Sequence, residues 1–340
     1  MLRKTLLSLI GGALCAMSAN AQEVTLKMHQ FLPAQANIPR LILETWAENV
    51  ETASNGRIKV DHYPSMQLGG VPPELVSQVE DGIADVIWTV VGYTPGRFPR
   101  TEVFELPFMV KDARAASSAY WKLFETEMAD TDFANFKVLG TWVHGPGVIH
   151  TYDPVEVPGD FRGMKIRGAS RQVNALLEEL GAEPVGMSVP AVPEALSKGV
   201  IDGTTIPWEV TATLRTSELV ENHTEFTGHM LYTATFVMAM NKQVYESLPA
   251  DLQQVIDDNS GLEFSVFAAG ELAAVDAAAR DIAVDLGNNI ITLDAAQSAA
   301  WAKAAAPVRA AWVEDMQSKG IDGQALIDQA QALMDAFEAE

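Results

Sequence analysis

A single cysteine in 340 residues, Cys15, leaves this chain almost no sulfur chemistry. It falls in an N-terminal stretch that reads as a secretory signal. Arg3 and Lys4 form a basic n-region, Thr5 to Met17 is mostly apolar, and Ala19-Asn20-Ala21 has the A-x-A pattern of a cleavage site. Leu14 stands where a lipoprotein signal wants a small residue before the cysteine, so ordinary cleavage after Ala21 is expected. The mature chain from Gln22 then has no cysteine, which excludes a cysteine nucleophile and any disulfide. Basic residues are also scarce, 23 Lys and Arg against 45 Asp and Glu. Loss of Arg3 and Lys4 shifts the formal charge from −22 to −24. Such a surface repels nucleic acid. Beyond the signal no window approaches the length of apolar run that spans a membrane, so a soluble mature protein of two lobes is expected.

Catalytic signatures are missing as well. There is no H-E-x-x-H, no G-x-S-x-G, no phosphate loop, and no G-x-G-x-x-G following a strand. None of the histidines His29, His62, His144, His150, His223 and His229 stands at close metal spacing, so neither metal nor cofactor is expected. Carboxylates abound, but no pair reads as an acid and its base.

What is present is an alternation of strand and helix. VTLKMHQF (24–31) and RIKVDHYP (57–64) read as strands around a helix from about Pro39 to Thr52, which argues for an α/β fold. A weak repeat sits at an offset of 117: Pro73, Val79, Gly82 and Asp85 match Pro190, Leu196, Gly199 and Asp202. In each copy a proline opens a helix, a glycine closes it and an aspartate leads into the next strand, VIWTVVGY or GTTIPWEV. From Leu248 an Ala-rich helical stretch runs towards Leu286, through Gly261 and Gly270, and further helices are expected at 294–318 and 322–339.

Phe31, Trp88, Tyr93, Trp142, Trp208 and Phe236 lie near strand ends, where ligands bind in open α/β sheets. Any one of them is equally a core filler; the set points to one cleft. Arg167 closes the strand MKIRGAS just before the helix RQVNALLEELG. A guanidinium there suits a carboxylate, and the helix start favours an anion. The bland alternative is a surface ion pair of little worth. In so acidic a protein, an anion site needs a fixed local cation, and Arg167 is the candidate.

The motifs NGRIKVDHYPSMQLGG (55–70), VEDGIADV (79–86), ELPFM (105–109), PGDFRGMKIR (158–167), PEALSKGVIDG (193–203) and MNKQVYESLPADLQQVI (240–256), taken in order, give nearly the whole mature chain a resemblance to a known family. It resembles the periplasmic solute-binding subunits of tripartite ATP-independent periplasmic (TRAP) transporters, of the DctP type. The resemblance implies a two-lobed, periplasmic-binding-protein-like α/β fold with a ligand cleft and a long inter-lobe helix. It implies no enzymatic step, capture of an organic acid, delivery to a membrane permease, and a monomer by family default. Residues 1–21 are the signal, 22–145 with about 232–265 the first lobe, and 146–231 with about 266–340 the second, with the long helix spanning both. Crossing strands around 144–150 and 231–237 are the expected hinges.

In that family the arginine of the K-I-R segment is the usual carboxylate anchor, here Arg167. Members that bind sugar acids or dicarboxylates often carry another arginine upstream, whereas HGPGVIHTYDP (144–154) has none. One carboxylate is therefore expected, on an aromatic or other apolar acid. The rings would stack on it, and His29, Gln30, Asn37 and Tyr93 would read hydroxyls. His144 or His150 would partly replace the second cation. Glu209 beside Trp208 keeps a zwitterionic osmolyte open, as hydroxy acids, keto acids and dicarboxylates also remain open. Rival classes are a periplasmic enzyme using His144 or His150 as base, and a ligand sensor for a membrane receptor.

Overall fold

The computed structural model describes residues 22–339; the expected signal and its cleavage site lie outside the described residues. The strands form two sheets. The first runs, in spatial order, β2 (Ile58–Tyr63), β1 (Val24–His29), β3 (Val86–Val90), β10 (Thr235–Asn241) and β4 (Phe136–Val143). The second runs β11 (Asn289–Leu293), β9 (Asn222–Phe226), β5 (Gly147–Thr151), β8 (Gly203–Pro207), β6 (Lys165–Gly168) and β7 (Glu183–Gly186). Each sheet has a parallel half and one strand that reverses direction: β10 is antiparallel to β3 and β4, and β5 to β8 and β9. Those two strands exchange the chain between sheets. It leaves the first sheet at β4 and enters the second at β5 through residues 144–146, then returns from β9 to β10 through residues 227–234.

The helices are α1 (Glu44–Ala53), α2 (Leu75–Glu80), α3 (Ala113–Leu123), α4 (Arg171–Glu179), α5 (Val192–Ser197), α6 (Trp208–Leu214), α7 (Lys242–Ser247), α8 (Ala250–Asp258), α9 (Leu262–Asp285), α10 (Ala295–Ser318) and α11 (Gly323–Glu338). The helix expected from Pro39 begins one residue earlier, as a wide π turn over Ile38–Leu43 that runs into α1.

The 117-residue repeat is a repeat of structure. Gly82 and Gly199 end α2 and α5 at φ 71° and 64°, a conformation that costs an L side chain energy and glycine nothing. Asp85 then accepts the Lys27 N–H at 2.8 Å and returns its own N–H to the Lys27 carbonyl at 2.9 Å. Asp202 does the same with Lys165, at 2.7 Å both ways. Each aspartate thus registers its strand against the parallel neighbour, β3 against β1 and β8 against β6.

One expected helix is two. Gly261 lies at φ 93° and gives its N–H to the Leu139 carbonyl, so the stretch from Leu248 breaks into α8 and α9 there. Gly270, at ordinary helical φ against the Arg114 stem, lets α9 continue. α9 packs on α3 and β4 of the first half and on α6 of the second. α11 packs on α3, with Trp312, Met316, Leu326 and Met334 in the same buried cluster as Trp88. That cluster also takes in Val189, Ile206 and Val210 from around the second sheet, so apolar contact is continuous between the halves.

Asp85→Ala removes the acceptor of a part-buried strand N–H. It is expected to destabilise the fold by about 1–2 kcal/mol in chemical denaturation, with no change in the slope of the transition. An unchanged midpoint would mean that the bond contributes no net stability.

Candidate functional site

β6 is only four residues long, yet it carries a cation inside the protein: Lys165 is exposed, while Ile166, Arg167 and Gly168 are buried. Pairing to β8 places Arg167 opposite Thr204, with its side chain 1 % exposed. Its Nε donates to the Met187 carbonyl at 2.9 Å, Nη1 to the Thr205 carbonyl at 3.1 Å, and Nη2 to the Tyr93 hydroxyl at 3.5 Å. These partners are neutral, and no carboxylate pairs with Arg167 among the described residues. A guanidinium has one N–H on Nε and two on each terminal nitrogen. One on each terminal nitrogen therefore has no bond among the described residues.

The start of α4 is not the anion site that the sequence led one to expect. Ser170 caps the Val173 N–H, while Arg171 and Gln172 bind Glu102 from the first half, at 3.0 Å for both Nε–Oε1 and Nε2–Oε2. The Trp312 indole donates to the same carboxylate at 3.0 Å. An internal acid occupies that helix end.

Beside Arg167 is a partly open cavity. Of the residues singled out in the sequence, Phe31, Trp88, Tyr93, His144, Glu209 and Phe236 line it together with Arg167. The rings form one wall: Phe31 lies 4.7 Å from Trp88 and 5.6 Å from Tyr93, and Trp88 lies 5.4 Å from Phe236, centroid to centroid. Aliphatic side chains such as Ile38, Val189, Ile206 and Val210 complete it. The Tyr93 hydroxyl accepts from the Val189 N–H at 2.8 Å as well as from Arg167, which leaves its own proton to donate.

The other candidates lie behind the wall. His29 Nε2 accepts the Leu68 N–H at 3.3 Å, so Nδ1 carries the proton and donates to Gln78 Oε1 at 2.7 Å. Gln30 bonds both backbone groups of Leu32 and also touches His62. Both residues shape the loop after β1. Asn37 donates to the Glu209 carbonyl at 2.8 Å, and so links the first helical segment to α6. Trp142 is edge-on to Phe236 at 5.9 Å and to Phe264 of α9, one layer back. Trp208 gives its indole N–H to Glu225 and packs on His150 and His223. Tyr232, which the sequence reading passed over, is in the wall. It lies in a segment already marked as a crossing, and Gly147 is small because a Cβ there would come 2.2 Å from its ring. Burial pushes its hydroxyl up to about 12.

Neither histidine offered as a base is free to act. His144 Nε2 accepts the Ala234 N–H at 2.9 Å and Nδ1 donates to the Gly145 carbonyl at 2.6 Å; burial pushes it down to about 4, so it is neutral. It is not a second cation. His150 donates to the Ile206 carbonyl and meets His223 Nδ1 at 2.7 Å, with burial holding it well below its ordinary range. Glu209, 3 % exposed, is pushed up to about 8 by burial and by the nearby Asp276. Among the described residues no group of three or more His, Cys, Asp or Glu side chains is placed to hold a metal ion.

Residues 32–315 match the model of bacterial extracellular solute-binding protein, family 7, and the chain belongs to that family. A TRAP solute-binding protein from Rhodoferax ferrireducens T118, solved with copurified benzoate, is 47% identical and superposes with a TM-score of 0.91, covering 93% of this chain and 98% of that one. A marine metagenome TRAP protein described as specific for aromatic acid ligands, solved with 3-hydroxybenzoate, is 44% identical with a TM-score of 0.91, covering 93% and 99%. The C4-dicarboxylate-binding periplasmic protein DctP of Rhodobacter capsulatus is 27% identical over 264 residues, 77% of this chain and 78% of that protein.

Two buried carboxyls make stability depend on pH. Burial raises Glu105 to about 7 and Glu209 to about 8, far above their unfolded values. Above about pH 6.5 the unfolded chain has already lost these protons, while the folded one gives them up only as pH passes about 7 and then about 8, so stability falls as pH rises through this range and levels off above it. The depressed histidines act in the opposite sense, but only below their unfolded value near 6.5. Unfolding measured between pH 6.5 and 8 is expected to show this decline, with a shallower slope in Glu209→Gln. A flat profile would contradict the assignment.

Proposed function

We propose that this protein captures an aromatic or otherwise apolar monocarboxylate in the cavity beside Arg167, in the periplasm, and delivers it to a TRAP membrane permease. The observation that carries this reading is a buried guanidinium with no acidic partner among the described residues, at the edge of a cavity walled by rings. A carboxylate placed there takes the two remaining terminal N–H bonds of Arg167 in the forked geometry that guanidinium favours. The Tyr93 hydroxyl donates to the same group. The ring then lies among Phe31, Trp88 and Phe236, where offset or edge-on contact is favourable. The cavity wall brings no second arginine or lysine, which favours one carboxylate over two. The aromatic acids bound by the relatives at 47% and 44% identity support the same class.

The mechanism is binding and release, with no bond made or broken. The ligand joins side chains from both halves, and closure about residues 144–146 and 227–234 expels water. Loss of water strengthens the charged hydrogen bonds at Arg167. With His144 and His150 both neutral and hydrogen-bonded, a binding role fits better than a catalytic one. The permease is the macromolecular partner, and one copy of the chain suffices.

A thermal-shift panel of benzoates, phenylacetates, keto acids, dicarboxylates, sugar acids and zwitterions tests the class. A bound acid at a hundred times its Kd should add about 2.7 kcal/mol of stability. A response confined to dicarboxylates or sugar acids would contradict the reading. By calorimetry, Arg167→Ala is expected to lose about 2–5 kcal/mol of binding, and Tyr93→Phe about 1 kcal/mol. Unchanged affinity in Arg167→Ala would remove the anchor.

A further inference from the structure

We propose that Glu209 reads the ring: its carboxyl hydrogen-bonds a hydroxyl carried by the bound aromatic acid, so the protein prefers hydroxylated aromatic monocarboxylates to unsubstituted ones. The proposal rests on the monocarboxylate reading above and names the substituent that the same site selects.

Elimination within the wall points to this residue. The polar side chains in the cavity lining are Tyr93, His144, Arg167, Glu209 and Tyr232. Arg167 and Tyr93 adjoin each other and take the carboxylate. His144 has both nitrogens engaged with backbone. Tyr232 lies against the Thr205 hydroxyl, on the strand whose carbonyl also holds Arg167. Glu209 remains: its carboxyl meets the Asn37 side chain and the nearby Asp276 but keeps further hydrogen-bonding capacity, in a lining that also includes Ile38, Pro207 and Val210.

Its position is fixed from both halves. It stands in the first turn of α6, directly after β8, with its N–H on Asp276 Oδ1 of α9 at 2.8 Å. Its carbonyl accepts from Asn37 of the first half at 2.8 Å. The backbone is therefore clamped when the halves are together, and the residue is buried in the cavity wall.

The surroundings decide its charge. Asp276 on α9 and the Asn37 amide act on it directly, and Arg167, neutral His144, Tyr93 and Tyr232 line the same cavity. Glu209 forms no ion pair among the described residues, and Asp276 together with burial holds it largely protonated at neutral pH. A neutral carboxyl both donates and accepts, as a phenolic hydroxyl does. It has no charge to offer an ammonium group. An unsubstituted ring would cover this carboxyl and leave it only the Asn37 side chain to bond. Sites built to bond a ligand hydroxyl discriminate against the analogue that lacks it, because the buried polar group is then unpaired.

The test is calorimetry at pH 7 on the mature chain, residues 22–340, with benzoate, the three hydroxybenzoate isomers and a zwitterionic aminomethyl benzoate. In the unsubstituted protein the best hydroxybenzoate is expected to bind about tenfold or more tightly than benzoate. Glu209→Gln, which keeps a donor and an acceptor in nearly the same volume, should retain most of that ratio. Glu209→Leu should collapse it to within about twofold. A ratio near one in the unsubstituted protein, a ratio preserved in Glu209→Leu, or a zwitterion that binds more tightly than both acids would each overturn the proposal. The first of these needs no variant to fold. Binding of both acids that depends on Arg167 but shows no preference removes only the role of Glu209. Absence of binding by every aromatic acid removes the monocarboxylate reading and this proposal together.

Discussion

A guanidinium withdrawn from water, with no carboxylate among the described residues to meet it, is the constraint on which the rest of this structure depends. Burying an unpaired charge is costly unless hydrogen bonds replace its hydration. Arg167 receives two backbone carbonyls and a tyrosine hydroxyl, enough to hold it in place but not to neutralise it. In the reading proposed above, this incomplete solvation makes the site selective, because an anion of the right shape would supply what the protein withholds. It also reconciles anion binding with a formal charge of −22 for the whole chain. The acidic surface acts through water and salt, which screen it over about 8–10 Å. The cation acts through an apolar wall that screens far less.

The two halves meet around this residue. Tyr93, just after β3, accepts from the Val189 N–H and from Arg167, both on the second half. Asn37 reaches the Glu209 carbonyl, and Glu102 gathers Arg171 and Gln172. The apolar cluster continues across the same boundary. Each half is built from the same helix–glycine–aspartate–strand unit, and Asp85 and Asp202 set register in the same way. The carboxyl ends of β3 and β8 therefore open toward one cavity, and α9 packs against both halves along its side.

Much of this was legible in the sequence, for physical reasons. Left-handed glycines and registering aspartates are local requirements, so their recurrence at one offset disclosed the repeat before any contact was known. Arg167 stood out because cations are scarce and it ended a strand. The rule that ligands lie beyond strand ends picked out Phe31, Trp88, Tyr93 and Phe236, which line the cavity. The same rule misplaced Trp142 and Trp208. Which way a ring points depends on its neighbours, Phe264 for one and His150 with His223 for the other, and these come from distant parts of the chain. His29 and Gln30 are polar residues used to shape their own loop. Tyr232 escaped notice because its place in the wall depends on Gly147 across the crossing. The break at Gly261 was missed because a glycine among good helix formers gives no warning that its φ is positive.

The central claim is that Arg167 is completed by a ligand carboxylate. A crystal structure of the mature protein with benzoate or a hydroxybenzoate tests it most directly. The account predicts the carboxylate about 2.7–2.9 Å from both terminal nitrogens of Arg167, with the ring among Phe31, Trp88 and Phe236. A ligand bound with its carboxylate elsewhere, or an Arg167 that turns away to pair with an acid of the protein, would contradict it.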